Sequence, residues 1–336
     1  MASSQHLSVL VTHPQSRLAT YFGEQALRSL REIADVRLNT SDEDLAGPSL
    51  IDAARDCAVM IAYRQTPVDA AVLALLPSLR AVVRCAVDIR TIDVEAASAQ
   101  GVLVTQASAG FMASVSEWIV GVMIDLSRHI GSANAQYHAG LLPEPRMGRE
   151  LRGTTLGVIG YGQIARYLCP VAQALGMRVL VSDPFATVDA PGLTQMPLPE
   201  LLAGADHVVC LAPANALTEN LMNAQSFASM RKGAFFINAG RGNLVDEDAL
   251  LQALDSGRLS GAALDVGRAT DQMPSLALAR HPLVIATPHV GGLTPPAIEH
   301  QALETVAQTR AILQGRVPTG AVNADAANRL RAGSVS

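Results

Sequence analysis

A glycine turn set between an apolar run and a helix-like segment constrains this chain more than any other feature. Residues 154–159 read as a strand, Gly160-Tyr161-Gly162-Gln163-Ile164-Ala165 as a tight turn, and 163–175 as a helix. A second strand follows at 178–182, and Asp183 stands at its end. Gly160 permits the turn, and Gly162 lets the main chain approach a pyrophosphate. Ala165 is small enough for close helix–strand contact where a third glycine often stands. The start of the helix offers free N–H groups and positive potential to an anion. Asp183, about 20 residues on, suits a two-oxygen grip on the hydroxyls of an adenine ribose. A carboxylate there repels a 2′-phosphate and no arginine directly follows it, so the unit points to NAD rather than NADP.

Around this unit, short apolar runs alternate with helix-like segments from the start of the chain. Residues 7–11, 36–38, 58–62, 79–83 and 102–104 read as strands, with helices expected over 21–33 and 68–76. A second series follows at 154–159, 178–182, 207–211, 234–238, 261–265 and 284–286. This is the rhythm of parallel sheets covered by helices, an α/β chain of two domains. Between the series, residues 114–129 form a helix apolar nearly all round (Val115, Trp118, Ile119, Val122, Met123). Such a helix must be buried, and a subunit interface is one way to bury it. The polar, proline-containing stretch 140–152 reads as a surface linker. A last amphipathic helix, 297–314, starts after Pro295-Pro296 and stops at Gly315. It lies beyond the last strand, so it can cross back to the first domain. The small, polar tail from Asn323 is expected to fray.

Composition narrows the function classes. The 336 residues are 49 % hydrophobic and only 16 % charged, against roughly 25 % in an average chain, which implies extensive burial between domains or subunits. A net charge of −5 with no basic block argues against nucleic acid or an anionic membrane as partner. The amino terminus lacks a basic n-region, so no signal peptide is expected. Pro77 and Arg80 interrupt one apolar stretch and Asp125 another, leaving no membrane span. Cys57, Cys85, Cys169 and Cys210 are scattered. They read as reduced, buried thiols of a cytoplasmic protein and offer no metal site.

Four stretches resemble the D-isomer-specific 2-hydroxyacid dehydrogenases. They are Leu156-Gly157-Val158-Ile159-Gly160-Tyr161-Gly162, Ile237-Asn238-Ala239-Gly240-Arg241-Gly242-Asn243-Leu244-Val245-Asp246-Glu247, Gly261-Ala262-Ala263-Leu264-Asp265-Val266 and Thr287-Pro288-His289-Val290-Gly291-Gly292, in family order and spacing. The resemblance implies a Rossmann NAD-binding domain (109–292) inserted in a flavodoxin-like substrate domain (1–108 plus 293–336). It also implies a homodimer through the helix around Trp118. Arg241 would hold a 2-oxo acid by its two-oxygen fork. His289 would exchange a proton with the substrate oxygen. Asp265 would accept a hydrogen bond from the nicotinamide amide, or else cap its strand. Gln163, Ile164, Pro213, Thr218, Ala239, Gly240 and Gly291 would complete the cofactor contacts.

The chain departs from that pattern twice. The family glutamate that supports the histidine falls at Thr270, leaving Thr270, Asp271 and Gln272 as candidates for its role; Asp271 is the nearest carboxylate. The substrate loop, which usually carries glycines, reads Arg84-Cys85-Ala86-Val87-Asp88-Ile89-Arg90. Val87, Asp88 and Arg90 then border the substrate. The charged pair either selects a second polar group or simply satisfies itself. The stretch Gln106-Ala107-Ser108 places the hinge near 108. The leading reading is an NAD-dependent oxidoreductase that interconverts a 2-oxo acid and a D-2-hydroxy acid. The alternatives are an NAD(H)-responsive regulatory protein on the same fold, or a dehydrogenase for another small anion such as formate, toward which only Gln272 points.

Overall fold

The computed structural model describes residues 7–332. Residues 1–6, on which the reading of the amino terminus rests, and 333–336 lie outside the described residues. The chain divides into two compact units, one running to Gly110 and resuming at Pro295, the other spanning Phe111–Thr294. The second is therefore an insertion in the first.

The first unit holds β1 (Ser8–Val11), β2 (Asp35–Leu38), β3 (Val59–Ala62), β4 (Ala81–Arg84) and β5 (Leu103–Gln106), all parallel, in the order β2-β1-β3-β4-β5. This is the flavodoxin-like order. Side chains alternate between the faces. Val9, Val11, Val59, Ile61, Ala81 and Val83 join Ala302, Val306 and Ile312 of the Pro295–Leu313 helix on one side. Leu10, Met60, Val82 and Val104 join Leu50, Leu73 and Ala97 on the other. The long helix thus belongs to the first unit, as its position after the last strand suggested.

The second unit holds β6 (Thr155–Ile159), β7 (Arg178–Ser182), β8 (Leu193–Gln195), β9 (His207–Cys210), β10 (Ala234–Asn238), β11 (Leu259–Leu264) and β12 (Val284–Ala286). They are parallel, in the order β12-β11-β10-β9-β6-β7-β8. The order reverses between β6 and β9, the doubly wound Rossmann arrangement. Its central strands are buried on both faces, which is why they read as continuous apolar runs.

Several sequence expectations need correction. The helix expected over 21–33 is two helices, Gln15–Tyr21 and Glu24–Arg31, because Gly23 between them sits at φ 81°. The helix expected over 68–76 shrinks to Ala70–Ala74: Asp69 caps it, accepting from the Val72 N–H, while Val68 pairs with Ile92. The Met112–Arg128 helix ends where His129 turns left-handed, and an unforeseen helix, Ile130–His138, follows. The apolar side of Met112–Arg128 is covered within the chain by the Gln163–Ala174 helix and β11, so its burial needs no second subunit. Strand β8 lacks any apolar run and was not foreseen.

The tail from Asn323 does not fray within the described residues. Asn323 accepts from the Val104 N–H and donates to the Val102 carbonyl, closing the edge of β5. Arg329 donates to the carbonyls of Leu76 and Leu79, and Leu330 is buried. Ser108, placed near the hinge, is bound to Glu304 of the first unit through N–H and hydroxyl at 2.7 and 2.6 Å, so the division falls after Gly110.

Candidate active site

In a doubly wound sheet the strand ends at the carboxyl edge leave loops free to meet a ligand. Here β6, β7, β9, β10, β11 and β12 deliver the glycine turn, Asp183, Pro213–Thr218, Arg241, Asp265 and His289 respectively to that one edge.

The two glycines are needed for different reasons. Gly160 sits at φ 92°, and a Cβ there would lie 2.9 Å from the main chain of Leu211 and Ala212, so its identity is demanded by the fold. Gly162 has an ordinary φ of −80°, and a Cβ there would meet nothing within 4 Å. No atom of the described residues lies where a Gly162 side chain would go, so the space above this helix start is open to a ligand. No side chain caps the Gln163–Ala174 helix, so its first N–H groups face that space. Ala165 is fully buried against the sheet, while Gln163 is exposed and Ile164 partly packed in the core.

Asp183 accepts from the N–H groups of Tyr161 (2.7 Å), Phe185 (2.8 Å) and Ala186 (3.0 Å). Burial works against its charge, but these three donors and nearby Arg166 outweigh it and hold the carboxyl below the usual range. Two of the N–H groups fall on Oδ1 and one on Oδ2, which leaves acceptor capacity for a ribose hydroxyl. The cradle over Gly162, the uncapped helix start and the anionic Asp183 together fit NAD. Beyond β9, the Thr218 hydroxyl donates to the Pro213 carbonyl at 2.7 Å, bringing those two positions together.

Arg241 follows β10 on a loop shaped by Asn238, which accepts from the Gly240 N–H and donates to the Arg241 carbonyl. Gly240 packs against Leu244, with no room for a Cβ. A Cβ on Gly242 would collide with the Gly267 carbonyl, so this loop lies directly against the one after β11. Arg268 joins them: it donates to the carbonyls of Asn243 and Val245, to Asn220 and to Glu219. The bond from Arg268 and one from Asn243 hold Glu219 below its usual range. Sequence reasoning missed Arg268, because a lone arginine in a loop carries no periodic signal.

Asp265 caps the loop carrying His289. Its carboxylate accepts from the Thr287 hydroxyl (2.6 Å), the Val290 N–H (2.8 Å) and the Gly291 N–H (2.7 Å). Gly291 is glycine because a Cβ there would press on Asp265 Oδ2, and Trp118, the single tryptophan, lies beyond it. His289 is half-buried at φ 56°, and its Nδ1 lies 3.0 Å from the main-chain oxygen of Asp271. The contact that Nδ1 makes with Asp271 is to its main-chain oxygen. Among the described residues no cluster of His, Cys, Asp or Glu is placed to hold a metal.

The substrate-loop candidates lie in the first unit. Val87 and Asp88 are half-buried and Arg90 exposed. Arg90 grips Asp88 in a fork, Nε at 3.0 Å from both oxygens and Nη2 at 2.7 Å from Oδ2, which raises the arginine pKa. Of the two readings, the pair satisfies itself.

Residues 120–291 match the model of the D-isomer specific 2-hydroxyacid dehydrogenase NAD-binding domain. Rat D-3-phosphoglycerate dehydrogenase is 36 % identical over 289 residues, covering 84 % of this chain and 54 % of the relative. The enzyme of that name from Methanocaldococcus jannaschii is 31 % identical over 324 residues, covering 94 % of this chain and 59 % of the relative. This chain thus spans little more than half the length of those relatives. Among solved structures, the TT0316 protein of Thermus thermophilus superimposes with a TM-score of 0.84 at 28 % identity, covering 94 % of this chain and all of the other. D-2-hydroxyisocaproate dehydrogenase shares the fold, with a TM-score of 0.83 at 22 % identity, covering 94 % of this chain and all of its own. With its glycine turn, arginine loop and histidine loop in order along one sheet edge, the chain belongs to the D-isomer-specific 2-hydroxyacid dehydrogenase family, whose matched domain binds NAD.

Proposed function

We propose that this protein is an NAD-dependent oxidoreductase that interconverts a 2-oxo acid and its D-2-hydroxy acid. The observation that carries the reading is the gathering of the Gly160–Gly162 turn, Asp183, Arg241 and His289 at the carboxyl edge of one parallel sheet. The bound nicotinamide supplies or receives the hydride. Arg241 donates through Nη1 to the Gly240 carbonyl at 2.8 Å, and its guanidinium, with five N–H donors, would hold a carboxylate and the adjacent carbonyl oxygen. His289 gives a proton to that oxygen in reduction and takes it back in oxidation. Asp265 serves by holding the Thr287 hydroxyl before His289 and the main chain of Val290 and Gly291 after it.

A second copy of the chain is proposed as the partner. Ile130, Tyr137, Leu141, Leu142 and Met147 are all more than half exposed within a stretch that covers no core of its own chain. A cluster of that kind suits a self-complementary interface. The dimer contact then lies just beyond the helix around Trp118. No helix among the described residues is long and apolar enough to cross a membrane. The four cysteines are buried as free thiols, which supports a cytoplasmic setting.

The test is loss of NADH absorbance against a panel of 2-oxo acids: glyoxylate, hydroxypyruvate, pyruvate, and bulky, dicarboxylic and phosphorylated members. D-3-phosphoglycerate is tried in the oxidative direction, because the relatives carry that name. With the acid that turns over, His289→Ala is expected to lower kcat about 10³-fold while NADH still binds. Tight NADH binding without turnover on any acid at any pH would instead favour a regulatory protein that responds to NAD(H).

A further inference from the structure

The family resemblance leads to a glutamate at position 270, and this chain has threonine there. What meets the histidine instead is a main-chain carbonyl on an unusual turn. Thr270 accepts from the Met273 N–H at 3.2 Å, and the two residues between, Asp271 and Gln272, both lie at φ 57°. Positive φ at both central positions is the type I′ pattern, which Asn-Gly, Asp-Gly and Gly-Gly normally fill. Glutamine has no side-chain reason to adopt it, so the surroundings must impose it.

Those surroundings are visible. Gly267 N–H donates to the Gln272 carbonyl at 2.7 Å and Ala269 N–H to the Met273 carbonyl at 3.0 Å. Gly267 itself lies so close to Met273 and Pro274 that a Cβ there would overlap their main chain. Arg268, between them, is anchored on Asn220, Asn243 and Val245. The turn is held on both sides, and its product is the Asp271 carbonyl at 3.0 Å from His289 Nδ1. From the other side, Asp265 holds the main chain at Val290 and Gly291 and the hydroxyl of Thr287. Backbone and ring of His289 are thus fixed by separate partners.

We propose that the Thr270–Met273 turn is the positioning device for His289, its carbonyl taking the role of the missing glutamate. The inference rests on the oxidoreductase reading for its kinetic consequence but not for its structural one. A carbonyl oxygen has no proton to give, so Nδ1 must carry hydrogen in both the neutral and the charged ring. Nε2 is then the single atom at which His289 exchanges a proton. In reduction, the Nε2–H bond breaks, its proton passes to the substrate carbonyl oxygen as hydride reaches the second carbon, and the ring is left neutral with Nδ1–H intact. Oxidation reverses each movement. The carbonyl orients the ring by a neutral acceptor.

The experiment is nitrogen NMR of the full chain labelled at histidine, at a pH where the ring is neutral. Among the 8 histidines, His289→Gln identifies the signal that belongs to His289. The expected result is an Nδ1–H tautomer, and an Nε2–H tautomer overturns the proposal. Asp271→Asn keeps the carbonyl and removes the charge, so the Nδ1–H signal should stay; its loss would make the carboxylate the partner and overturn the proposal. Gln272→Gly suits positive φ and should keep the signal, whereas Gln272→Pro cannot adopt it and should give a mixture of tautomers. With the acid that turns over, Gln272→Pro should lower kcat about 10²-fold and leave the NADH Kd within about twofold. An unchanged kcat and tautomer in a folded Gln272→Pro protein would also overturn the proposal. If no 2-oxo acid turns over and the tautomer is as expected, the oxidoreductase reading fails and the positioning of the ring stands.

Discussion

The two parallel sheets end in carboxyl edges of the same kind and use them in opposite ways. In the five-stranded sheet, polar groups at the edge are consumed internally. Arg84 at the end of β4 is fully buried, bonded to the carbonyls of Tyr63 and Thr66 and to the Thr91 hydroxyl. Burial draws its guanidinium down to about 10, still charged near neutrality. Next to it His13 is buried among Phe22 and Tyr63, and Arg90 is spent on Asp88. In the seven-stranded sheet, carboxylates hold main chain, so that the residues between them are presented. Asp183 and Asp265 each accept from two or more backbone N–H groups, and His289 stands on a loop built that way. Topology makes an edge available; what decides its use is whether side chains there satisfy each other or satisfy the backbone.

Arg84→Met should break the first edge most severely. It removes a charged donor from three acceptors in a dry site, although the Tyr63 carbonyl keeps the Thr66 N–H and the Thr66 carbonyl keeps the Thr91 hydroxyl. The change is expected to cost about 3 kcal/mol, read from urea unfolding. Stability within about 0.5 kcal/mol of the parent would mean these groups find other partners and the edge is not built on Arg84.

A pH titration of stability sharpens the contrast next. Burial, helped by Arg84, lowers the His13 pKa from 6.5 to about 3. Because the folded value is depressed, the unfolded chain takes up a proton below 6.5 that the folded chain refuses. This contribution is therefore intact above 6.5 and lost as pH falls toward 3, at up to about 1.4 kcal/mol per unit. Between about pH 7 and 5 it should amount to about 2 kcal/mol. His13→Phe should flatten that slope, and an equal slope in the variant would assign the acid sensitivity elsewhere. His207, lowered by burial from 6.5 to about 4, acts in the same direction in the other unit.

Within the presenting edge, Gly162→Ala meets no protein atom, so the thermal midpoint should hold while NADH binding weakens about tenfold, or about 1.4 kcal/mol. Unchanged affinity in a calorimetric titration would remove the pyrophosphate from that space. The smallest effect belongs to Arg90→Ala. An exposed pair contributes at most about 1 kcal/mol, so denaturation should barely move. A large rise in KM for the acid that turns over would return Arg90 to the substrate.

Much of this was legible in the chain. The strand–turn–helix–strand–aspartate unit appears where residues 154–183 placed it, because a glycine turn and continuous apolar strands depend on neighbours only a few residues away. Gly160 could be read directly, since positive φ is a local demand. The order of the motifs also located Arg241, Asp265 and His289 at strand ends. Less visible were the helix break at Gly23, strand β8 and the anchored tail. Asn323 and Arg329 act on backbone groups more than two hundred residues away, and no window of sequence contains both partners.

By itself, then, the sequence determined two α/β units and the glycine turn, which follow from periodicity and from local backbone requirements. The insertion of one unit in the other and the candidate arginine and histidine were read from the family resemblance of its motifs. The tertiary structure alone decided how polar groups are paired. It gave Asp88 to Arg90, turned Asp265 onto the backbone of the histidine loop, and brought the Asp271 carbonyl to His289 Nδ1. A side chain's partner depends on distances and directions fixed only when remote loops pack, and a residue's type does not reveal which of its atoms will make the contact.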